Sequence, residues 1–142
     1  MRKGLGLLIV LSLTMLIILG GCVSGSGEGA DSEKFRVGME AGYAPFNWTQ
    51  IGDSNGAVPI EGSPEYAGGY DVEIAKRIAE GLGKKLVIVK TEWDGLIPAL
   101  TSGKIDAIIA GMSPTADRKE TIDFSDNYYK SDLVMVVRKG GG

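Results

Sequence analysis

An alternation of short apolar runs with amphipathic helical patterns, from Phe35 to Ala110, restricts this chain to a narrow set of folds. Phe35-Arg36-Val37-Gly38-Met39 alternates and predicts a first strand. Asp71 predicts the N-cap of a helix on which Ile74, Ala75, Ile78, Ala79 and Leu82 share one face, and Gly83 fits the C′ position that ends it. Leu86-Val87-Ile88-Val89 is unbroken apolar sequence, the pattern of a strand covered on both faces. Asp94 predicts the cap of a second helix, where Pro98 is tolerated only in the first turns. Leu96, Ile97 and Leu100 would face inward, with Gly103 as the stop. Ile105 to Ala110 predicts another buried strand, Thr115 the cap of a short helix through Lys119, and Leu133 to Val137 a final strand. Strand, helix, strand, helix, strand is the order of an α/β fold with a mainly parallel sheet and flanking helices. Between Asn47 and Gly69 the recurrence of Gly, Pro, Asp, Asn and Ser predicts one long surface loop. Asp53-Ser54-Asn55-Gly56 within it is a turn rather than a calcium loop, because the later acidic ligands are missing.

The first 21 residues follow another logic. Arg2 and Lys3 precede an almost unbroken apolar run from Leu5 to Leu19, and small residues follow, which predicts a secretory signal over 1–21. The run is shorter than the roughly 20 residues that span a bilayer. Leu19-Gly20-Gly21-Cys22 resembles a bacterial lipobox, and that resemblance implies that Cys22 becomes the lipidated N-terminus of the mature protein. The rival reading is an uncleaved anchor; either one puts the remainder outside the cytoplasm, on the membrane surface. Residues 22–34 are rich in Gly, Ser and charge and predict a flexible tether. A single domain over 35–138 and a short tail over 139–142 complete the expected division.

Composition removes several kinds of function. The formal net charge is −3, and the leader would take Arg2 and Lys3 with it. With no basic run, the chain lacks the electrostatic footprint for nucleic acid. There is no His, the commonest general base and metal ligand, and the single Cys excludes an intrachain disulfide. No metal, cofactor or catalytic residue is expected.

Ligands of parallel α/β sheets sit beyond the carboxyl ends of the strands. Three segments fall there: Glu40 to Asn47 with Tyr43, Thr91 to Gly95 with Trp93, and Gly111 to Arg118 with Ser113 and Thr115. Together they offer aromatic walls, a hydroxyl, exposed backbone and one guanidinium. Taken singly, each has a plainer reading. Arg118 would be a solvated charge, Trp93 and Tyr43 core, Ser113 a turn residue and Glu40 a solvated acid.

In combination these segments resemble the bacterial extracellular solute-binding proteins, family 3, of polar amino-acid ABC importers. Tyr43-Ala44-Pro45-Phe46, Gly69-Tyr70-Asp71-Val72-Glu73-Ile74-Ala75, Trp93-Asp94-Gly95-Leu96-Ile97-Pro98-Ala99-Leu100, Gly103-Lys104-Ile105-Asp106-Ala107 and Gly111-Met112-Ser113-Pro114-Thr115-Ala116-Asp117-Arg118-Lys119 carry the resemblance, followed by Asp123-Phe124-Ser125. It implies the first lobe of a type II periplasmic-binding-protein-like fold. It also implies that Arg118 grips a ligand α-carboxylate, a bidentate task suited to its planar fork. Thr115 and Ser113 would complete the cradle, the Gly111 carbonyl would accept from the α-ammonium, and Tyr43 and Trp93 would sandwich the side chain. Glu40 falls where some members place an acidic contact. The expected partners are a small amino acid, ABC permease subunits and the membrane through the lipid anchor.

The family has two lobes that close on the ligand by a hinge. By that resemblance Arg138-Lys139-Gly140 lies about where the chain crosses into a second lobe, so the expectation is an incomplete first lobe, the second being absent. Such a half-site leaves a zwitterion partly wet and would bind at about millimolar or weaker, worth roughly 4 kcal/mol. Two other readings share the fold: a periplasmic dehydratase of an aromatic amino-acid precursor, and the ligand-sensing module of a receptor. The first needs paired acids or bases that are not evident, and the second needs a spanning helix.

Overall fold

The structure, a computed structural model, describes residues 33–132 and 134–140. Cys22, the leader and the tether up to residue 32 lie outside the described residues. The chain runs β1 (Lys34–Met39), β2 (Gly42–Tyr43), β3 (Asn47–Gln50), β4 (Val58–Pro59), β5 (Tyr66–Gly68), α1 (Tyr70–Gly81), β6 (Lys85–Lys90), α2 (Leu96–Thr101), β7 (Ala107–Ile108) and α3 (Ala116–Lys119). Strands β6, β1 and β7 form a parallel sheet in that order, with Val37 opposite both Ile88 and Ala107. The expected α/β architecture is present, and β1 lies at its centre.

Burial explains the centre. Val37, Met39 and Ile88 are fully buried on the sheet, against Val72 and Ala75 of α1 and Leu96 of α2. Each large side chain buried in this way contributes about 1.5–3 kcal/mol of transfer free energy. Both long connections end as the sequence predicts. After α1 the Gly83 N–H donates to the Glu80 carbonyl and the Lys84 N–H to that of Ala79; after α2 the Gly103 N–H donates to Leu100 and the Lys104 N–H to Ala99. Both are Schellman closures, and both glycines have the positive φ that the motif requires.

Several expectations are corrected. The segment from Asn47 to Gly69 is not one loop: its strands β3, β5 and β4 pair with the preceding β2 as an antiparallel sheet in the order β2-β3-β5-β4, with Trp48 opposite Gly68 and Thr49 opposite Ala67. These strands are two to four residues long, too short for an alternation to betray them, and several of their side chains bond locally. Trp48 Nε1 donates to Gln50 Oε1 at 2.9 Å, and Thr49 Oγ1 to the Ala41 carbonyl at 2.8 Å. Asp71 does not cap α1. Gly69 stands at that position, and Asp71 is the second residue of the helix, within its first turn and fully buried. Asp94 is part of a 3-10 turn over Trp93–Gly95, and Gly95 precedes α2. The buried face of α1 is Asp71, Val72, Ala75 and Ala79, which leaves Ile78 and Leu82 exposed. Ladder pairing in the segment from Ile105 to Ala110 is limited to Ala107–Ile108. Val134 to Val137 are exposed and join no ladder among the described residues, and strand composition without a backbone partner makes no strand.

The order of the parallel sheet places the site. The chain leaves β1 for β6 on one side and reaches β7 on the other, so the carboxyl ends of β1 and β7 flank a topological switch point.

A candidate binding site at the switch point

Glu40 follows the last residue of β1, and Tyr43 ends β2. Trp93 begins the turn after β6, while Ala110 and Gly111 follow β7. Ser113 and Arg118 belong to the loop and helix that come next. These residues line one hollow of about 360 Å³. Six of the seven residues expected from the sequence to contact a ligand are therefore together. Thr115 is the exception. It caps α3, its hydroxyl accepting from the Arg118 N–H at 3.4 Å, so it sets where Arg118 starts without lining the hollow.

Arg118 is half-buried. Its guanidinium carbon lies 5.3 Å from the Trp93 ring centroid, within cation–π range. Nη1 donates to the Ser113 carbonyl at 2.9 Å. Among the described residues this is its one side-chain hydrogen bond, and no carboxylate lies within ion-pair distance. A guanidinium has five N–H donors in a planar fork, so an anion would find most of them unused. Glu40 brings an acid to the same hollow. Tyr43 is 53% exposed, and its ring stacks on Phe46 with centroids 5.2 Å apart. Phe46 meets the edge of Tyr129 at 5.0 Å, so the exposed wall is braced from behind. Gly111 has φ +62, and a Cβ there would come 3.3 Å from the Tyr43 ring.

Behind this wall is a polar group that sequence reasoning missed. Tyr128 Oη donates to Asp71 Oδ1 at 2.8 Å and accepts from the Gly111 N–H at 3.1 Å. Asn47 Nδ2 donates to Asp71 Oδ2 at 2.7 Å. The one signal available was spacing: Asp71, Ala75 and Ala79 fall four apart on the buried stripe of α1. Asp106, by contrast, does only what a structural acid does, its carboxylate accepting from the Arg36 N–H at 2.7 Å.

Burial pushes the Asp71 carboxyl above its ordinary 3.8, and the bonds from Asn47 and Tyr128 offset part of that rise. Burial, and then Asp71 itself, push the Tyr128 phenol up as well. The native state thus holds the Asp71 proton more tightly than the unfolded chain does. The stability contributed by this group is complete below the unfolded value and is lost as pH rises through the folded one. Urea unfolding of the wild-type chain and Asp71→Asn between about pH 7 and about pH 4 checks this. The stability difference should move in favour of wild type on acidification, and a constant difference would show that the carboxyl titrates normally.

A second, larger hollow of about 770 Å³ involves Lys119, Asp123, Asp126 and Lys130 and contains none of the expected ligand contacts. Among the described residues no helix is long and apolar enough to cross a membrane.

Known proteins bear on the same geometry. Along its whole length the chain is 33% identical to the arginine-binding extracellular protein ArtP of Bacillus subtilis (strain 168) and covers 50% of that protein. It thus spans about half the length of the curated relatives that it matches. It is similar to the arginine-bound form of domain 1 from TmArgBP, at 39% identity and a TM-score of 0.58, over 74% of each chain. It is also similar to the ancestral amino acid-binding protein AncCDT-1, a precursor of cyclohexadienyl dehydratase, at 40% identity and a TM-score of 0.57, over 72% of this chain and 40% of that one. The family model for bacterial extracellular solute-binding proteins, family 3, matches residues 35–142. A parallel sheet with its hollow at the switch point, and a match that covers the whole folded region, lead to one conclusion: the chain belongs to the bacterial extracellular solute-binding proteins, family 3.

Proposed function

We propose that this chain is the membrane-tethered, extracellular amino-acid-binding component of an ABC importer, and that its hollow receives an amino acid with a cationic side chain. The observation that carries the reading is Arg118, a guanidinium 5.3 Å over the Trp93 ring with most of its donors unused and, among the described residues, no carboxylate within ion-pair distance. In this reading Arg118 takes the α-carboxylate, with Thr115 setting its position. The Gly111 carbonyl and Ser113 receive the α-ammonium. Tyr43 and Trp93 flank the side chain, where a cation gains from both ring faces, and Glu40 supplies the opposite charge. ArtP and TmArgBP are named for arginine, which supports the cationic class. Cys22 carries the lipid anchor, and permease subunits are the partners.

A ligand in this hollow stays wet on the side of Tyr43, Gly111 and Ser113, which are exposed. Binding by the chain alone is therefore weak, about millimolar. That arginine is held by domain 1 of TmArgBP supports binding by one domain as such.

The test is an NMR titration of the full chain with L-arginine and with L-glutamate, followed at the Trp93 indole. Arginine should saturate and glutamate should bind at least about tenfold more weakly, since the Glu40 charge opposes it. Glu40→Gln should narrow that gap. No saturable response to any amino acid would end the proposal, and equal affinity for both ligands would end the assignment to cationic ones. The dehydratase reading is weaker: proton transfer needs an acid and a base, and among the described residues Glu40 is the one carboxylate that lines the hollow.

A further inference from the structure

The glycine in the wall of the hollow poses a physical problem. Glycine has the softest backbone of any residue, and Gly111 stands at positive φ between Ala110 and Met112 with no side chain to hold it. A mobile wall must be ordered when a ligand arrives, and that ordering subtracts from affinity. Here the Gly111 N–H is held by Tyr128, a residue 17 positions on.

The direction of that bond is set further back. The Gly111 N–H can only donate, so the Tyr128 oxygen must accept, and its single proton must go elsewhere. It goes to Asp71 Oδ1 at 2.8 Å. Asp71 is fully buried, and Asn47 Nδ2 occupies its other oxygen at 2.7 Å, so the carboxylate faces Tyr128 as an acceptor. The Tyr70 hydroxyl donates to the Tyr128 carbonyl at 3.2 Å, and the two rings stack with centroids 6.2 Å apart, which holds Tyr128 at both ends. We propose that Tyr128 and Asp71 are positioning residues that fix the Gly111 peptide in its ligand-ready orientation, so that the hollow is preorganised by a chain of hydrogen bonds that runs from the buried Asn47 and Asp71 out through Tyr128 to the exposed Gly111. This inference rests on the functional reading above only where it predicts affinity; the anchoring of Gly111 stands apart from it.

Tyr128→Phe in the full chain removes the hydroxyl and keeps the ring. Amide hydrogen exchange at Gly111 should accelerate at least about tenfold with its proton resonance shifted upfield, because the bond is gone. Arginine affinity should fall about fivefold, although no atom that touches the ligand has been altered. A purely structural role would lower the melting temperature and leave the folded-state affinity unchanged, which would overturn the proposal. Unchanged exchange at Gly111 would overturn it as well. If the wild-type chain binds no amino acid, the functional reading fails, while exchange at Gly111 still decides whether Tyr128 anchors it. Should the variant fail to fold, the unaltered chain serves: a slowly exchanging Tyr128 hydroxyl proton with a cross-peak to the Gly111 amide is expected, and a freely exchanging Gly111 amide without that cross-peak refutes the anchor.

Discussion

Arg118→Ala is expected to weaken arginine binding by about thirtyfold while leaving the fold intact. A charge-assisted hydrogen bond in a dry site contributes about 1.5–3 kcal/mol, and the same pair in open water about 0–1 kcal/mol. Arg118 lies between these limits, half-buried under Trp93 and reached by solvent, which places its bidentate contact at about 2 kcal/mol. The stability cost should be small, because the side chain makes one hydrogen bond, to the Ser113 carbonyl, among the described residues. The cap of α3 uses the backbone N–H of Arg118, which alanine keeps. Arg118→Lys should recover less than half of the lost binding energy, since a point charge cannot present two parallel donors. NMR titration alongside thermal melts separates the two quantities. Affinity equal to wild type in Arg118→Ala would show that the carboxylate is held elsewhere.

Gly69→Ala should destabilise the protein by about 3–5 kcal/mol, a large share of the 5–15 kcal/mol that holds a domain together. Gly69 has φ +125, a backbone conformation L side chains rarely adopt, and an added Cβ would lie 2.2 Å from the Phe46 carbonyl oxygen. That carbonyl cannot retreat freely. It accepts from the Asp71 N–H at 2.8 Å, and Pro45 beside it accepts from Tyr70 at 3.1 Å. Moving Phe46 would also shift the Tyr43 ring stacked on it, so ligand binding should suffer along with stability. Gly62→Ala is the control: φ is +72 there, and a Cβ meets nothing within 4 Å, so only about 1 kcal/mol of backbone strain is expected. Urea unfolding of both variants provides the check. Equal costs at the two positions would mean that the contact with Phe46 does not constrain the fold.

The two variants also divide what was legible from what was not. Arg118 could be singled out because its neighbours in the chain, Ser113 and Thr115, belong to one short segment that serves one site. Gly69 could not, because what restricts it is Phe46, 23 positions earlier in sequence yet in contact through the helix start. Asp71 misled for a related reason. Its place before an amphipathic run is that of a cap, and nothing local reveals that its carboxylate is turned inward toward Asn47 and Tyr128. The antiparallel sheet over residues 42–68 was hidden because strands of two to four residues are too short to carry a periodicity. The run at 134–137 erred the other way, with strand composition but no ladder among the described residues.

By itself the sequence determined the parallel α/β core, the two glycine-stopped helices and the three loops that converge on the hollow. Periodicity, capping and turn chemistry act over a few residues, and they are written where they act. Only the tertiary structure decided which buried acid meets which tyrosine, which backbone groups pair as a second sheet, and why Gly69 tolerates no side chain. Those outcomes depend on atoms brought together from far apart in the chain, and proximity of that kind leaves no local trace in residue order.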